Sequence, residues 1–368
     1  MSCAHSSSET EAWRLRQTPQ GKLVPGDLEL TQRTLSAPAK DEVLVEVCWL
    51  SVDPYMRTRM QSSGYDYLNR DGMGKWTSGS YLSAWGLGRV LEVGSEVGDK
   101  VASGDWVVGH LPVARHGLVR FSSERGALPP LVFGAQQTAP VDWLHARGMT
   151  GFTAWLAMCH YARPRASDTV LVTGGAGAVG SLAVQWALTS GARVLASAGS
   201  SAGREWLSSL GVTGVLDHGS PEVFAEQLRQ LAPGGLDLHM EQLGGATFAS
   251  AIDAVRSHGR VVLCGLVSQY NEAEPRRAPP NLQRLVSVGA RLQPFVVPGH
   301  EAEHWGRFQQ QAASPPASAF AAPLEVIDGL ESWAEALCGL LVSGNRRGPG
   351  KRVIQLQAFN PVDVQRRR

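Results

Sequence analysis

The sequence lacks an excess of charge of either sign. Its 34 Lys and Arg residues nearly balance its 33 Asp and Glu residues, so the formal net charge is +1. No extended basic segment occurs before the short arginine tail at 366–368, which leaves no electrostatic footprint for nucleic acid. We therefore expect a small molecule, and no nucleic acid, as the partner.

Cysteine is scarce as well. The five cysteines are scattered and form no Cys-x-x-Cys pair, which argues against a disulfide framework and against a structural zinc lobe. Cys48 lies where a catalytic zinc ligand could lie, but no Gly-His-Glu block follows it. We expect no metal and a reducing compartment, the cytoplasm.

Long apolar runs are also missing. Residues 1–10 lack the apolar core of a secretory signal. Residues 169–192 carry no charge and approach the ~20 residues of a spanning helix. Four glycines between 174 and 180 would break such a helix in its middle. We expect no membrane span.

What is present indicates an α/β fold with two domains, since a domain takes on the order of 100–200 residues and the chain has 368. Short alternating segments at 41–49, 88–93, 105–109 and 117–121 predict a small, mostly antiparallel β domain. Residues 61–83, rich in Gly, Ser, Tyr and Asn, are predicted to form a surface loop near the site.

From residue 144 the pattern changes to a helical stretch followed by alternating strands and helices, typical of a doubly wound parallel sheet. Strands are predicted at 169–173, 193–198, 214–216, 236–241 and 260–263, and helices at 178–190, 203–210, 221–231 and 245–255. The Pro- and Ala-rich segment 312–323 then leads out, and the strand-like 351–356 should return to the first domain. The predicted domains are 1–140, completed by 315–368, and 141–314.

A glycine fingerprint lies at the first of these strand-to-helix turns. Gly175, Gly177 and Gly180 have Gly-x-Gly-x-x-Gly spacing directly after an apolar strand and before a helix. The turn needs residues without Cβ so that backbone can approach a pyrophosphate, and the helix amino terminus supplies N–H groups. The segment predicts a dinucleotide site.

The end of the second strand favours NADP over NAD. An NAD site would place an acid there for the ribose 2′-hydroxyl, yet no acid occurs before Glu205. Ser200, Ser201 and Arg204 could all donate to a 2′-phosphate.

Several blocks in a fixed order carry a family resemblance: VDPYMRTRM at 52–60, GMTGFTA at 148–154, EQLGG at 241–245 and LCGLVSQYN at 263–271. The chain resembles the zinc-free medium-chain dehydrogenases/reductases that include prostaglandin reductase, leukotriene B4 12-hydroxydehydrogenase, plant 2-alkenal reductase and curcumin reductase. The resemblance implies a GroES-like β domain, a Rossmann nucleotide-binding domain and a homodimer. It also implies NADPH-dependent reduction of the carbon–carbon double bond of α,β-unsaturated aldehydes and ketones.

The same resemblance assigns roles to residues. It implies that the pyrophosphate is held by the start of the helix and that the nicotinamide half lies over the loop from Cys264 and Gly265 to Tyr270. It places Tyr55 beside the substrate and Asn345 on the cofactor. The remaining residues implied to contact the cofactor are Ala178, Val179, Phe295, Val296 and Val297.

Departures from the family pattern fall on cofactor contacts. The usual Lys for the 2′-phosphate is Gly203, the usual Tyr is His218 and the usual Asn is Gln242. Arg204 with His218 must then replace the missing contacts, and a weaker NADP preference is expected.

Two tyrosines are the candidate catalytic residues. Tyr270 can donate a hydrogen bond to the enolate oxygen that forms when the double bond is reduced, or can supply the proton that the α-carbon takes up, because a phenol keeps its proton at neutral pH. Tyr55 is expected to line the substrate. The resemblance implies that a ribose hydroxyl of the cofactor donates to the same oxygen as Tyr270. Quinone or carbonyl reduction on the same fold and a catalytically silent NADPH-binding protein stay open as alternatives.

Overall fold

The computed structural model describes residues 8–61, 74–121, 130–137, 140–272, 278–342 and 348–356. Asn345 and most of the predicted loop at 61–83 lie outside these residues.

The amino-terminal part is built almost wholly of strands. Its elements are β1 Ser8–Leu15, β2 Leu28–Leu35, β3 Glu42–Ser51, the short helix α1 Tyr55–Arg59, β4 Ser83–Val93, β5 Trp106–Pro112, β6 His116–Arg120 and β7 Leu131–Phe133. The four segments predicted as strands are confirmed as β3, β4, β5 and β6. β1 and β2 form a separate antiparallel hairpin that was not predicted.

The second part alternates strands and helices. Its elements are α2 Met149–Trp155, β8 Thr169–Val172, α3 Ala178–Leu188, β9 Arg193–Ala198, α4 Ser201–Ser209, β10 Gly214–Asp217, α5 Pro221–Leu231, β11 Leu236–Glu241, α6 Gly245–Ala254, β12 Val255–Leu263, α7 Gln283–Ser287, β13 Arg291–Pro294 and α8 Glu301–Ala312. A π-helical segment, Leu156–Ala162, follows α2. All the predicted strands and helices of this part are confirmed, with ends that differ by a few residues.

These six strands form one parallel sheet in the order β10-β9-β8-β11-β12-β13. The central strand β8 is buried at all but its first residue, as expected for a sheet covered on both faces. The chain runs outward from β8 through β9 and β10, then crosses to β11 on the other side. The carboxyl ends of β8 and β11 therefore flank the switch point, where ligands bind in doubly wound sheets.

The tail returns to the first sheet, as predicted. It forms β14 Leu324–Asp328, α9 Trp333–Leu340 and β15 Lys351–Gln355. β15 pairs with β3 in antiparallel orientation, Val353 opposite Ser51, and completes a sheet of order β14-β15-β3-β4-β5-β7 with β6 also paired to β3.

The largest apolar core joins the two sheets. It contains Trp85 and Trp106 of the first sheet together with Val170 and Val172 of the second. Trp85 Nε1 donates to the Trp143 carbonyl oxygen at 2.8 Å. Among the described residues, no helix combines the length and the apolar character needed to cross a bilayer.

Candidate active site

The glycine-rich turn joins β8 to α3 at the switch point. A Cβ on Gly180 would lie 2.2 Å from the Gly174 carbonyl oxygen, and one on Gly175 would lie 3.0 Å from the Ala196 Cβ. Gly174 itself has a φ of +62°. The turn therefore requires glycine at these positions, two of which belong to the predicted fingerprint.

The amino end of α3 is open for an anion. The first helical hydrogen bond runs from Ser181 N to the Gly177 carbonyl oxygen at 2.8 Å. The N–H groups of Ala178, Val179 and Gly180 consequently have no carbonyl partner one turn earlier in the helix. Three such donors at the positive end of a helix dipole fit a pyrophosphate.

The returning tail lies directly against this turn, which the sequence analysis did not predict. Gly350 pairs with Gly177 in a parallel bridge, and its N–H donates to the Ala176 carbonyl oxygen at 2.8 Å. A Cβ on Gly350 would lie 2.0 Å from the Pro323 carbonyl oxygen, and the residue has a φ of +93°. The tail thus brings the first sheet to the edge of the glycine-rich turn and the amino end of α3, residues 174–180, which we call the nucleotide cradle.

The residues predicted to read the 2′-phosphate come together at the carboxyl ends of β9 and β10. Ser200 caps α4, its Oγ accepting from Gly203 N at 3.2 Å. His218 Nδ1 lies 2.9 Å from Ser197 Oγ. Arg204 is half-buried beside them, so the predicted set shares one edge of the sheet.

Gly203 has a packing role that the sequence analysis missed. It is buried, and a Cβ there would lie 3.0 Å from the Ala176 Cβ and 3.1 Å from the Ala198 Cβ. Glycine therefore lets α4 approach the glycine-rich turn closely. A longer side chain at this position would need the helix to shift.

The loop after β11 is shaped by a buried carboxylate. Glu241 Oε1 accepts from Leu243 N at 2.5 Å and from Gly244 N at 2.6 Å, and Oε2 lies 2.7 Å from His239 Nε2. Gln242 Nε2 donates to the Thr173 carbonyl oxygen at 2.7 Å, which ties this loop to the end of β8. Sequence reasoning gave Glu241 no role, because an acid at a strand end does not reveal which N–H groups it will meet.

The segment predicted to lie under the nicotinamide follows β12. Cys264 N donates to the Glu241 carbonyl oxygen at 2.9 Å. Burial, reinforced by the charge of Glu241, raises the pKa of the Cys264 thiol to about 12, so it is neutral at physiological pH. The Tyr270 hydroxyl oxygen lies 3.1 Å from the position of a Cβ on Gly265, which shows that the ring folds back over that glycine.

Contacts from the first part of the chain hold this loop. Gln61 Nε2 donates to the Tyr270 carbonyl oxygen at 3.3 Å. Leu23 N donates to Asn271 Oδ1 at 3.1 Å. These bonds place the segment that follows α1 and the connection between β1 and β2 beside the loop that carries Tyr270.

Phe295, Val296 and Val297 follow β13 next to this loop. Phe295 is buried and its N–H donates to the Leu263 carbonyl oxygen at 3.3 Å, whereas the two valines are half-buried. The Phe295 ring lies 5.3 Å from that of Tyr161.

Tyr55 begins α1, is half-buried and packs on the core of the first sheet. Its block is fixed by a buried ion pair that was not predicted. Lys351 Nζ donates to Asp53 Oδ1 at 2.5 Å and to the Val52 carbonyl oxygen at 2.7 Å. The pair ties the segment before Tyr55 to the strand that begins next to Gly350.

A buried histidine lies beneath the cradle. His145 is 1% exposed, and its Nε2 lies 2.8 Å from the Ala178 carbonyl oxygen. Burial lowers its pKa to about 4, the bond to Ala178 opposes this, and the charge of Lys351 adds to it. Among the described residues, no group of three or more His, Cys, Asp or Glu side chains is arranged to hold a metal ion.

Two family models match the chain. Residues 11–124 match the model for the N-terminal domain of an oxidoreductase, and residues 178–307 match the zinc-binding dehydrogenase model.

Curated relatives extend over most of the chain. It is 31% identical to the NADPH-dependent curcumin reductase of Escherichia coli (strain K12), over 94% of this chain and 96% of that protein. It is 27% identical to the 2-alkenal reductase (NADP(+)-dependent) of Nicotiana tabacum, over 90% and 92% of the two chains. It is 29% identical to prostaglandin reductase 1 of Oryctolagus cuniculus, over 77% and 76%.

Among solved structures, CurA from Vibrio vulnificus in complex with NADPH is similar in fold. The TM-score is 0.84 at 26% identity, covering 95% of this chain and 100% of that one.

Proposed function

The chain belongs to the medium-chain dehydrogenase/reductase family, and on that premise we propose that it is a zinc-independent, NADPH-dependent reductase. Its proposed reaction is reduction of the carbon–carbon double bond of α,β-unsaturated aldehydes and ketones. Relatives with named activities of this kind support the proposal across nearly the whole length of the chain.

The observation that carries the proposal is the position of two features at the same end of the parallel sheet. The open amino end of α3 follows the carboxyl end of β8, the loop from Cys264 to Tyr270 follows that of β12, and β11 lies between these two strands. The amino end of α3 suits a pyrophosphate, and the loop places the phenol of Tyr270 over Gly265. A dinucleotide that spans these two features would bring its reactive ring next to Tyr270.

The residues would divide the work as follows. The N–H groups of Ala178, Val179 and Gly180 would hold the pyrophosphate, and Ser200, Arg204 and His218 would meet the ribose phosphate. Bound NADPH would supply the hydride. The Tyr270 hydroxyl would donate to the carbonyl oxygen of the substrate, where negative charge develops, or supply the proton for the α-carbon. Tyr55 would line the substrate.

A substrate panel tests the proposal. The purified chain is mixed with NADPH and, in turn, with enals, enones, quinones and simple aldehydes, and oxidation of the cofactor is followed by absorbance. We expect turnover with enals and enones, and saturated products by mass spectrometry. Turnover confined to quinones or to simple carbonyls would instead assign the alternative reaction. Cofactor binding without turnover of any compound would make the chain a silent NADPH-binding protein.

We also propose a two-domain division at residues 140–141 and 314–315, with a cytoplasmic homodimer as the working form. Cys48, Cys159, Cys264 and Cys338 are all free, which suits a reducing compartment. The dimer would use β13, the edge strand of the parallel sheet, since its four residues are exposed.

A further inference from the structure

An acid that the sequence analysis overlooked lies where the ribose phosphate would bind. Asp217 is the last residue of β10 and pairs in register with Ala198, the last residue of β9. Its Oδ2 lies 3.0 Å from Arg204 Nη1, and its Oδ1 accepts from Gly219 N at 2.8 Å. The carboxylate is thus held at the edge of the sheet beside the predicted phosphate donors.

The position of Asp217 corresponds in space to that of an NAD-reading acid, although it differs in the chain. Such an acid normally ends the second strand, and here that place is taken by Ala198 and the glycine that follows it. The neighbouring parallel strand supplies a carboxylate at the same level instead. A search confined to the second strand could not find it.

This ion pair changes what Arg204 can offer. The side chains are 31% and 28% exposed, so solvent screens the pair only in part. The carboxylate of Asp217 already balances the positive charge of Arg204 before any phosphate binds. A 2′-phosphate, which carries nearly two negative charges at neutral pH, must share the guanidinium with the carboxylate and tolerate its repulsion. A ribose 2′-hydroxyl could instead donate to that carboxylate.

We propose that Asp217 is the residue that sets the discrimination between NADPH and NADH in this chain, by weakening the hold of Arg204 on the 2′-phosphate and by accepting from the 2′-hydroxyl of NADH. The proposal rests on the dinucleotide site proposed above. It predicts that the chain uses NADH more readily than a site with Arg204 alone would. Both effects of the carboxylate shift the balance in the same direction.

The test uses Asp217→Asn, which keeps the shape and leaves an oxygen for Gly219 N while removing the charge. Dissociation constants for NADPH and NADH are measured on the full chain without substrate, by calorimetry. We expect NADPH to bind more tightly and NADH more weakly, so that their ratio moves about tenfold toward NADPH. In an Arg204→Ala background the loss for NADH should persist, and the gain for NADPH that remains measures the repulsion between the carboxylate and the 2′-phosphate.

Asp237→Asn is the matched control. Asp237 pairs with Arg256 at 2.9 Å with similar exposure, but it lies near the amino end of β11, at the opposite edge of the sheet. It should leave both constants unchanged. An unchanged ratio in Asp217→Asn, or a ratio that moves toward NADH, would overturn the proposal while leaving the reductase assignment intact. A wild-type chain that binds neither nucleotide would overturn both.

Discussion

At the residue scale, the Tyr270 hydroxyl is the group that the proposed chemistry needs most. Tyr270→Phe removes a donor that acts on the oxygen as charge develops, so kcat should fall while the dissociation constant for NADPH stays the same. A dominant donor would cost about a hundredfold or more. We expect about tenfold, because the family resemblance implies a second donor from the cofactor.

Tyr81→Phe is the control for this substitution, since the Tyr81 ring, just before β4, lies under the guanidinium of Arg33 on β2. Steady-state kinetics on the best enone give kcat, and calorimetry gives the binding constant. A normal kcat in Tyr270→Phe would place the residue among packing tyrosines. Lost NADPH binding with normal turnover of the bound complex would make it part of the cofactor floor.

His145 should make the stability of the fold depend on pH. Because burial lowers its pKa to about 4 from 6.5, the unfolded chain binds its proton at a higher pH than the folded chain does. The contribution of the neutral His145 to the free energy of unfolding is therefore complete above pH 6.5 and is lost as the pH falls toward 4. The full loss amounts to about 3 kcal/mol.

The His145→Gln variant isolates this effect, since the amide can still donate to the Ala178 carbonyl oxygen. Thermal midpoints measured between pH 7.5 and pH 4.5 should fall less steeply in the variant than in the wild type. Parallel curves would show that other groups account for the acid sensitivity.

Residues of the candidate site differ in how far sequence could predict them. Gly175, Gly177 and Gly180 were predictable because one turn contains the whole requirement, strand, glycines and helix. Asp217 and Lys351 were not, because Asp217 reaches this site through the register of β10 with β9 and Lys351 lies 298 positions from Asp53. The spacing of residues along the chain contains no sign of such contacts.

At the element scale, the turn from β8 to α3 and the middle of α8 make opposite demands on glycine. A Cβ on Gly180 would meet backbone atoms at 2.2 Å and 2.8 Å, whereas nothing lies within 4 Å of one on Gly306. Gly180→Ala should therefore lower the free energy of unfolding by about 1–3 kcal/mol and weaken NADPH binding. Gly306→Ala, at an exposed helical position, should raise it by about 1 kcal/mol.

Urea unfolding of both variants checks this pair, and NADPH titration checks the turn. If Gly180→Ala were as stable as the wild type and bound NADPH equally well, close packing at the turn would not be required. A neutral Gly306→Ala would mean that helix propensity is outweighed at that position.

The elements themselves were predictable to different degrees. The buried parallel strands were found because each is a short apolar run bounded by turn residues. The β1–β2 hairpin was missed because residues 8–15 and 28–35 mix charged and apolar side chains. The hairpin is held against the rest of the chain by contacts with distant segments, such as Trp13 Nε1 donating to the Leu330 carbonyl oxygen at 2.8 Å. Tertiary contacts of this kind override local pattern.

At the scale of the whole molecule, the tail joins the two halves. β15 completes the first sheet, while Gly350, one residue before it, contacts the glycine-rich turn of the second part. The largest core also includes residues of both sheets. Binding of NADPH at the cradle should therefore stabilise the first part too. Both parts should unfold in one common transition, and NADPH should raise the midpoint temperature of that transition.

The proposed homodimer gives the last prediction. β13 pairs with β12 on one side, and among the described residues no strand covers its other side. Leu292 on this strand is 41% exposed and nearby Val286 is 76% exposed, so the edge offers unpaired backbone beside an apolar surface. A second copy approaching by two-fold symmetry would pair β13 with itself and cover both residues.

Leu292→Lys would bring two like charges together there, and light scattering should show the mass falling to that of one 39.4 kDa chain. Leu91→Lys is the matched control, since Leu91 is 39% exposed on the first sheet. A wild type that is already monomeric at micromolar concentration, or a Leu292→Lys variant that stays dimeric, would rule out this edge as the interface.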